Sequence, residues 1–318
     1  MFYTRGEVTI FADKNSVAKR KTRKYTAKCV IIAAIIISVN VAYQIQVPVT
    51  EIEDAAQCNL YVEVAPDHLL FGILDNNRHE FISLQYVNLD KYNAFNHCKE
   101  LIYHNEWLAR SYNRVTVVYY FPESILVPEQ VYDENLNKTS VDLIYGDLNK
   151  GEILTDKLPG WNLYNVYRVP VALHQLLGAH FPKGHFYHAY SVVLKRKSQI
   201  SKKTEGDEAT LIFYPNKLLF ALFRNGKLQM MQTFEYETAE DVTWHLLNAC
   251  RQFNADCEQI IFTVSGLLDD HSSVYSELQK YFLNIELDER PADFKYNEAF
   301  NEYPLHFFTS LFNTALCE

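Results

Sequence analysis

Nearly the same segment occurs twice in the chain, about half the chain's length apart. Residues 66–78 read PDHLLFGILDNNR and residues 215–227 read PNKLLFALFRNGK, a separation of 149 residues (215 − 66). In each copy an apolar run lies between two groups of turn-forming residues, which is the pattern of a strand in a hairpin. The repeat predicts two similar halves, each beginning with an antiparallel meander of three strands.

Similar elements are predicted after each meander. Thr238 and Asp241 have the spacing of a capping box at the start of a helix. Apolar runs then begin at Val115 (VTVVYYF) and at Gln259 (QIIFTVSG). Such continuous runs are typical of parallel strands that are covered on both faces. Each half is therefore predicted to consist, in order, of a meander, a helix, a strand, a helix, a strand and a helix.

Two further pairs of segments keep the same order in the two halves. VYDE at 131–134 corresponds to VYSE at 274–277. The segments 168–181 and 302–316 both place a proline before an amphipathic stretch, where proline suits the first turn of a helix. These matches extend the predicted repeat beyond the meanders.

The repeat sets the predicted domain bounds. The first half spans residues 58–197 and the second spans residues 209–318. Between them, residues 198–208 are charged and poor in apolar side chains, which is typical of an exposed linker.

Charge is distributed unevenly along the chain. The net charge is −9, but the basic segment 1–28 holds eight Lys and Arg against two acidic residues, so the rest carries −15 (−9 − 6). An acidic body lacks the basic surface that binds a phosphate backbone. Nucleic acid is therefore not expected as a partner.

The segment after the basic residues allows several interpretations. Residues 29–47 are a candidate transmembrane helix, since no charge occurs from Cys29 to Thr50. The basic flank would then face the cytoplasm, whereas the scattered cysteines favour a reducing compartment for the body. A translation start at Val47 or Val49 would remove this conflict, and a signal or buried segment is a third interpretation. The protein would be a single-pass membrane protein if the amino terminus is as written, and cytoplasmic otherwise.

The carboxyl half carries a resemblance to a known family. LDERPADFKYNEAFNEYPLHFFTSLFN, residues 287–313, resembles an uncharacterised Bacteroidetes family, a domain of unknown function with the actin-like ATPase fold. The order of elements is similar to the duplicated ribonuclease-H-like halves of that superfamily. The resemblance covers about residues 50–318 and implies an α/β fold of two homologous halves. It implies no activity, because none is established for the family.

The resemblance also indicates where a nucleotide would bind. Members of the superfamily that bind ATP hold its phosphates on the turns between the first and second strands of each half, using Gly and Asp. Here both turns contain proline, which lacks a backbone N–H, and neither contains glycine. A residual site for ATP and Mg²⁺ would use the residues of these two turns and of one later strand end, namely Asp67, His68, Asn216, Lys217, Ser265 and Gly266.

The altered turns favour a function other than catalysis. We predict a degenerate actin-like protein, a binding or scaffolding module whose ligand or protein partner occupies the cleft between the halves. No catalytic residue, metal site or cofactor is predicted. The alternatives are an ATPase or small-molecule kinase with atypical phosphate turns, and an assembly protein that polymerises.

Overall fold

The computed structural model describes residues 44–48, 52, 54–90, 92–148, 150–200 and 205–317. The strands in this part of the chain are β1 (Gln44–Val47), β2 (Cys58–Val64), β3 (His68–Asp75), β4 (Glu80–Asn88), β5 (Arg114–Tyr119), β6 (Ser124–Pro128), β7 (Glu152–Leu158), β8 (Leu163–Val169), β9 (His185–His188), β10 (Asp207–Tyr214), β11 (Lys217–Arg224), β12 (Lys227–Glu235), β13 (Ile261–Gly266), β14 (Asn284–Leu287) and β15 (Lys295–Tyr296). The α-helices are α1 (Ala94–His104), α2 (Asn137–Tyr145), α3 (Val171–His180), α4 (Ala189–Ile200), α5 (Ala239–Phe253), α6 (Ser273–Leu278) and α7 (Thr309–Ala315).

The first sheet has the strand order β1-β4-β3-β2-β5-β9, and β15 also pairs with β4. Strands β2, β3 and β4 form the predicted antiparallel meander, and β5 lies parallel to β2. Alternate residues of β2 point to opposite faces. Leu60 and Val62 pack in one core with Ile102 of α1 and Leu177 of α3, whereas Tyr61 packs in a second core on the other face. The sheet is therefore covered on both faces.

The second sheet repeats this order. Its strands run β12-β11-β10-β13-β14, which matches β4-β3-β2-β5-β9 strand for strand. The register shifts between Ile73 and Leu74 in the first sheet and between Leu222 and Phe223 in the second, again 149 residues apart (222 − 73). The capping box predicted for α5 is present.

A third sheet interrupts the first half and was not predicted. Its antiparallel strands β6, β8 and β7 lie between β5 and α3 in the chain, together with α2. Because of this insertion, VYDE at 131–134 lies in the inserted segment, whereas VYSE at 274–277 lies in α6. Likewise α3 precedes the last parallel strand of its sheet, whereas α7 follows it. The two further pairs of similar segments, 131–134 with 274–277 and 168–181 with 302–316, therefore do not lie on equivalent elements of the two halves.

The ends of the predicted segments also differ from the observed elements. Residues 44–47, the end of the candidate transmembrane helix, form strand β1 and pair with β4, so the prediction is wrong there. Residues 29–43 lie outside the described residues. No helix in the described part of the chain is long and apolar enough to cross a membrane. The predicted linker 198–208 includes the last residues of α4 and the first of β10, and residues 201–204 are not described.

The inner faces of the first and second sheets meet around two helices. Helix α4 packs against α7, and each is the last helix of its half. Tyr120, which directly follows β5, and Tyr214, the last residue of β10, share a buried cluster with Val192 of α4. The candidate site lies at this junction of the halves.

Candidate functional site

The turns that precede β3 and β11 are joined by a buried ion pair. Nζ of Lys217 donates a hydrogen bond to Oδ2 of Asp67 over 2.9 Å. Lys217 is only 6% exposed, although a lysine in a turn is usually solvated. Asn216, also predicted for the site, is exposed. The structure therefore brings Asp67 and Lys217 together, and the two turns touch.

A second cation binds the other oxygen of the same carboxylate. The Nδ1 atom of His68 lies 2.9 Å from Oδ1 of Asp67, and its Nε2 atom lies 2.9 Å from Oε1 of Glu63. His68 is fully buried, and it is the first residue of β3, as Lys217 is of β11. Residues at equivalent positions of the two halves thus bind one carboxylate, Asp67, from its two sides.

Glu63 anchors the buried end of this network. It points inward from β2, and its side chain is 4% exposed. The hydroxyl of Tyr214 donates a hydrogen bond to its Oε1 atom over 2.5 Å, and Ser310 of α7 approaches its Oε2 atom at 3.5 Å. The network therefore connects both sheets and the last helix.

The environment of His68 favours its charged form. Its ring stacks on Tyr214, with centroids 4.6 Å apart, and on Tyr86, with centroids 5.3 Å apart. Burial by itself lowers the pKa of His68, but the hydrogen bonds to Asp67 and Glu63 outweigh burial and raise the pKa. Both ring nitrogens then carry protons, and each donates to a carboxylate.

The same interactions act in the opposite direction on Asp67. Burial raises the pKa of its carboxyl, but the hydrogen bond from His68 and the charges of His68 and Lys217 outweigh burial and lower it. Glu63, Asp67, His68 and Lys217 then form a group with two negative and two positive charges. Such a group has no excess positive charge for a phosphate.

The turn backbones offer little to a phosphate either. Pro66 and Pro215 have no N–H to donate. The N–H of Ala65 donates to the carbonyl oxygen of His68 within its own turn. A phosphate-binding turn instead directs several free N–H groups at its ligand.

Ser265 and Gly266 have structural roles at the end of β13. Gly266 has a φ of 86°, and a Cβ there would lie 2.2 Å from the carbonyl oxygen of Phe213. Its N–H donates to the carbonyl oxygen of His306. The hydroxyl of Ser265 is buried and approaches the carbonyl oxygen of Leu211 at 3.4 Å. Backbone packing therefore accounts for glycine at this position.

A cavity of about 270 Å³ extends between the sheets beside the network. Glu63, Tyr120, Tyr214, Ser265 and Asp288 line it together with one face of α4 and part of α7. Its lining is mixed, with hydroxyls and carboxylates beside aliphatic side chains. It borders the ion-paired turns through Glu63 and Tyr214.

One buried polar atom at this cavity has no hydrogen-bond partner within the described residues. It is Nε of Arg196. The hydroxyl of Tyr120, a residue that is 3% exposed, lies beside the hydroxyl of Thr233, which also pairs with Tyr190 at 3.1 Å. A buried donor without a partner can be satisfied by a polar group of a ligand or by water.

Several residues of this junction were missed in the sequence. Glu63 could have been identified from the sequence, because a carboxylate at an inward position of a buried strand requires a partner. Tyr214 and Arg196 had no such signal, because their neighbours come from the other half of the chain.

Residues 48–285 match the family described as "Protein of unknown function (DUF3822)". The chain belongs to this family. This agrees with the resemblance found in the carboxyl half. A comparison with curated proteins found no match.

Two solved structures show what the fold is similar to. One is a Bacteroides thetaiotaomicron protein described as having an actin-like ATPase fold and unknown function, with 17% identity and a TM-score of 0.66, covering 74% of this chain and 91% of that one. The other is from the PilM–PilN type IV pilus biogenesis complex, with 12% identity and a TM-score of 0.54, covering 83% of this chain and 98% of that one. At such identities the likeness shows an actin-like fold alone.

Proposed function

We propose that this protein is a non-catalytic binding or scaffolding module that has kept the actin-like fold and lost the use of its phosphate turns. The ion pair between Asp67 and Lys217, at 2.9 Å, is the observation that carries the proposal. It occupies the space between the turns where an actin-like ATPase would hold its nucleotide. A triphosphate with Mg²⁺ could enter only after this pair separates.

Breaking the pair to admit a nucleotide would be costly. Lys217 and His68 are buried, and removing one partner of a buried pair costs about 3–5 kcal/mol. After separation the turns would offer few backbone N–H groups to a phosphate, because both turns contain proline and neither contains glycine. These costs favour a binding module over an ATPase or kinase.

We place the ligand or partner of the module at the cavity between the halves. The unpaired Nε of Arg196 supports this placement, because a ligand with an acceptor group would satisfy it. The aliphatic wall from Val192 and Ile212 would contact an apolar part of the same ligand. A small amphipathic molecule or one inserted side chain of a partner fits these features.

We also infer that the two halves arose by duplication. The support is the shared strand order and the register shift that recurs after 149 residues (222 − 73). Duplication would account for cations at the equivalent positions 68 and 217.

Thermal unfolding of the full chain with and without Mg-ATP tests the absence of a nucleotide site. A ligand at a hundred times its Kd would stabilise the fold by about 2.7 kcal/mol, which moves the melting temperature by several degrees. We expect no shift and no phosphate release. A shift that disappears in Asp67→Asn and in Lys217→Met, but persists in the surface control Lys183→Met, would overturn the proposal in favour of a nucleotide-binding protein.

Native mass spectrometry of the purified chain tests the cavity. We expect a non-covalent adduct in the wild type that is lost in Val192→Phe, which fills the cavity. A wild type without adduct, or an adduct that survives in the filled variant, would exclude the cavity as the ligand site.

A further inference from the structure

The outer edges of the two main sheets differ. In the first sheet the edge of β4 is covered, since β1 pairs with Leu84–Val87 and β15 pairs with Glu80 and Phe81. In the second sheet the equivalent strand β12 ends the strand order and pairs only with β11 among the described residues. An uncovered edge strand presents backbone donors and acceptors to another chain.

The shared register shift gives the correspondence residue by residue. Ile73 pairs with Ser83, and its equivalent Leu222 pairs with Met230, so β4 maps onto β12 with an offset of 147 (230 − 83). The part of β4 that β1 covers then corresponds to residues 231–234. The part that β15 covers corresponds to residues 227–228. Within the part of the chain that the structure describes, no strand pairs with the corresponding edge of the second sheet.

The residues of the two edge strands also differ in their exposure to solvent. The interior residues of β4 are buried, whereas those of β12 are half-buried or exposed. Next to residues 227–231 lies a groove of about 890 Å³, whose facing wall is built by β6 and Trp161. Met230 and Met231 line this groove. Methionine side chains adapt to varied partners and are frequent at binding surfaces.

Charge and shape restrict what could occupy this edge. Lys227 is the one charged side chain that lines the groove, and its ammonium group forms no ion pair within the described ranges. It lies at the start of β12, and Glu235 lies at the end. A strand antiparallel to β12 would match both charges with an acidic residue near its carboxyl end, opposite Lys227, and a basic residue near its amino end, opposite Glu235. Since β6 and Trp161 face the groove, the space suits one extended segment better than the sheet edge of a second copy.

We propose that β12 binds an extended segment of a partner protein as an added antiparallel strand, as β4 binds β1. The segment alternates polar and apolar residues, as Gln44–Val47 does, and carries an acidic residue opposite Lys227. This proposal extends the scaffolding part of the proposed function and does not depend on what fills the cavity between the halves.

A designed peptide tests strand addition directly. The probe is fluorescein-labelled KQIQVQIQE, in which QIQV lies opposite residues 231–234 and the final glutamate lies opposite Lys227. Binding to the full chain is measured by fluorescence anisotropy. Amides of an added strand point alternately toward and away from its neighbour. Methylating the peptide amides that point toward β12 is therefore expected to weaken binding about tenfold or more. Methylating the amides that point away from β12 should weaken binding less than about twofold.

Charge variants test the direction of the added strand. Lys227→Glu is expected to weaken binding about two- to fivefold, and a probe ending in lysine should recover the loss. The matched control Lys183→Glu, at an exposed lysine outside the groove, should bind like the wild type.

Three results would overturn the proposal. They are absence of probe binding, equal weakening by both methylated sets, and a dimer in sedimentation experiments that Lys227→Glu dissociates. The last result would assign the β12 edge to a second copy of the chain.

Discussion

The two main sheets share a strand order and a register shift but differ at two places, the turn and the edge. At the turns, equivalent residues His68 and Lys217 both bind Asp67, whereas the residue equivalent to Asp67 is the exposed Asn216. At the edges, β4 is covered by β1, whereas β12 pairs with β11 alone among the described residues. The shared framework thus allows different residues where the halves contact each other and at edges that face solvent.

The difference at the turns makes them complementary. One turn supplies a carboxylate and the other an ammonium group, so the two turns attract each other. Asp67 in one turn and Lys217 in the other therefore form a direct contact. Variants at equivalent positions should therefore have unequal effects.

The largest effect is expected for His68→Phe. It leaves the carboxylate of Glu63, whose side chain is 4% exposed, without its ionic partner. We expect the free energy of unfolding to fall by about 3–5 kcal/mol. Urea denaturation measures it, with His271→Phe as the exposed control, for which about 0.5 kcal/mol or less is expected. A loss below about 1 kcal/mol for His68→Phe would show that Glu63 does not need the imidazolium.

The next effect contrasts two tyrosines that lie 4.5 Å apart between their ring centroids. Tyr214→Phe removes a hydrogen bond to a buried carboxylate and should cost about 1.5–3 kcal/mol. Tyr120→Phe removes a hydroxyl whose neighbour, the hydroxyl of Thr233, keeps Tyr190 as a partner, so the loss should be about 1 kcal/mol or less. Equal losses in the two variants would contradict the stronger role assigned to the bond with the buried carboxylate of Glu63.

A smaller effect is expected from pH. The raised pKa of His68 means that its stabilisation is complete below its unfolded pKa, about 6.5, and is lost as pH rises through the folded pKa. Within that window the free energy of unfolding should fall by up to about 1.4 kcal/mol per pH unit.

His188 must be separated from this profile. Burial lowers its pKa to about 4, so its contribution is lost in the opposite direction, as pH falls below about 6.5. Subtracting the profile of His68→Gln from that of the wild type removes the contribution of His188. A difference that stays constant above pH 6.5 would contradict the assigned charge of His68.

Local patterns in the sequence predicted the framework well. The meanders follow from apolar runs between turn residues, and the capping box at Thr238 follows from local hydrogen bonding alone. Both depend on residues that are neighbours in the chain. The third sheet was missed because its strands leave many side chains half-exposed and the apolar run of β6, Ile125–Val127, is short.

The site was only partly predictable. Asp67, His68 and Lys217 were identified from their place in the turns, but their mutual contact was not. Asp67 and Lys217 are 150 residues apart (217 − 67), and nothing local to either residue encodes the pairing. Lysine in a turn is normally exposed, and only the packing of one half on the other buries Lys217.

A double-mutant cycle between Asp67 and Lys217 tests the central claim most directly. Wild type, Asp67→Asn, Lys217→Met and the double variant are unfolded in urea at pH 6, and the coupling energy is extracted. The surface pair of Glu277 and Lys280 provides the control cycle, with about 0.3–0.5 kcal/mol expected. A coupling of about 1.5 kcal/mol or more is predicted for the turns, because Lys217 is buried. A coupling no larger than that of the surface pair would contradict the contact between the turns.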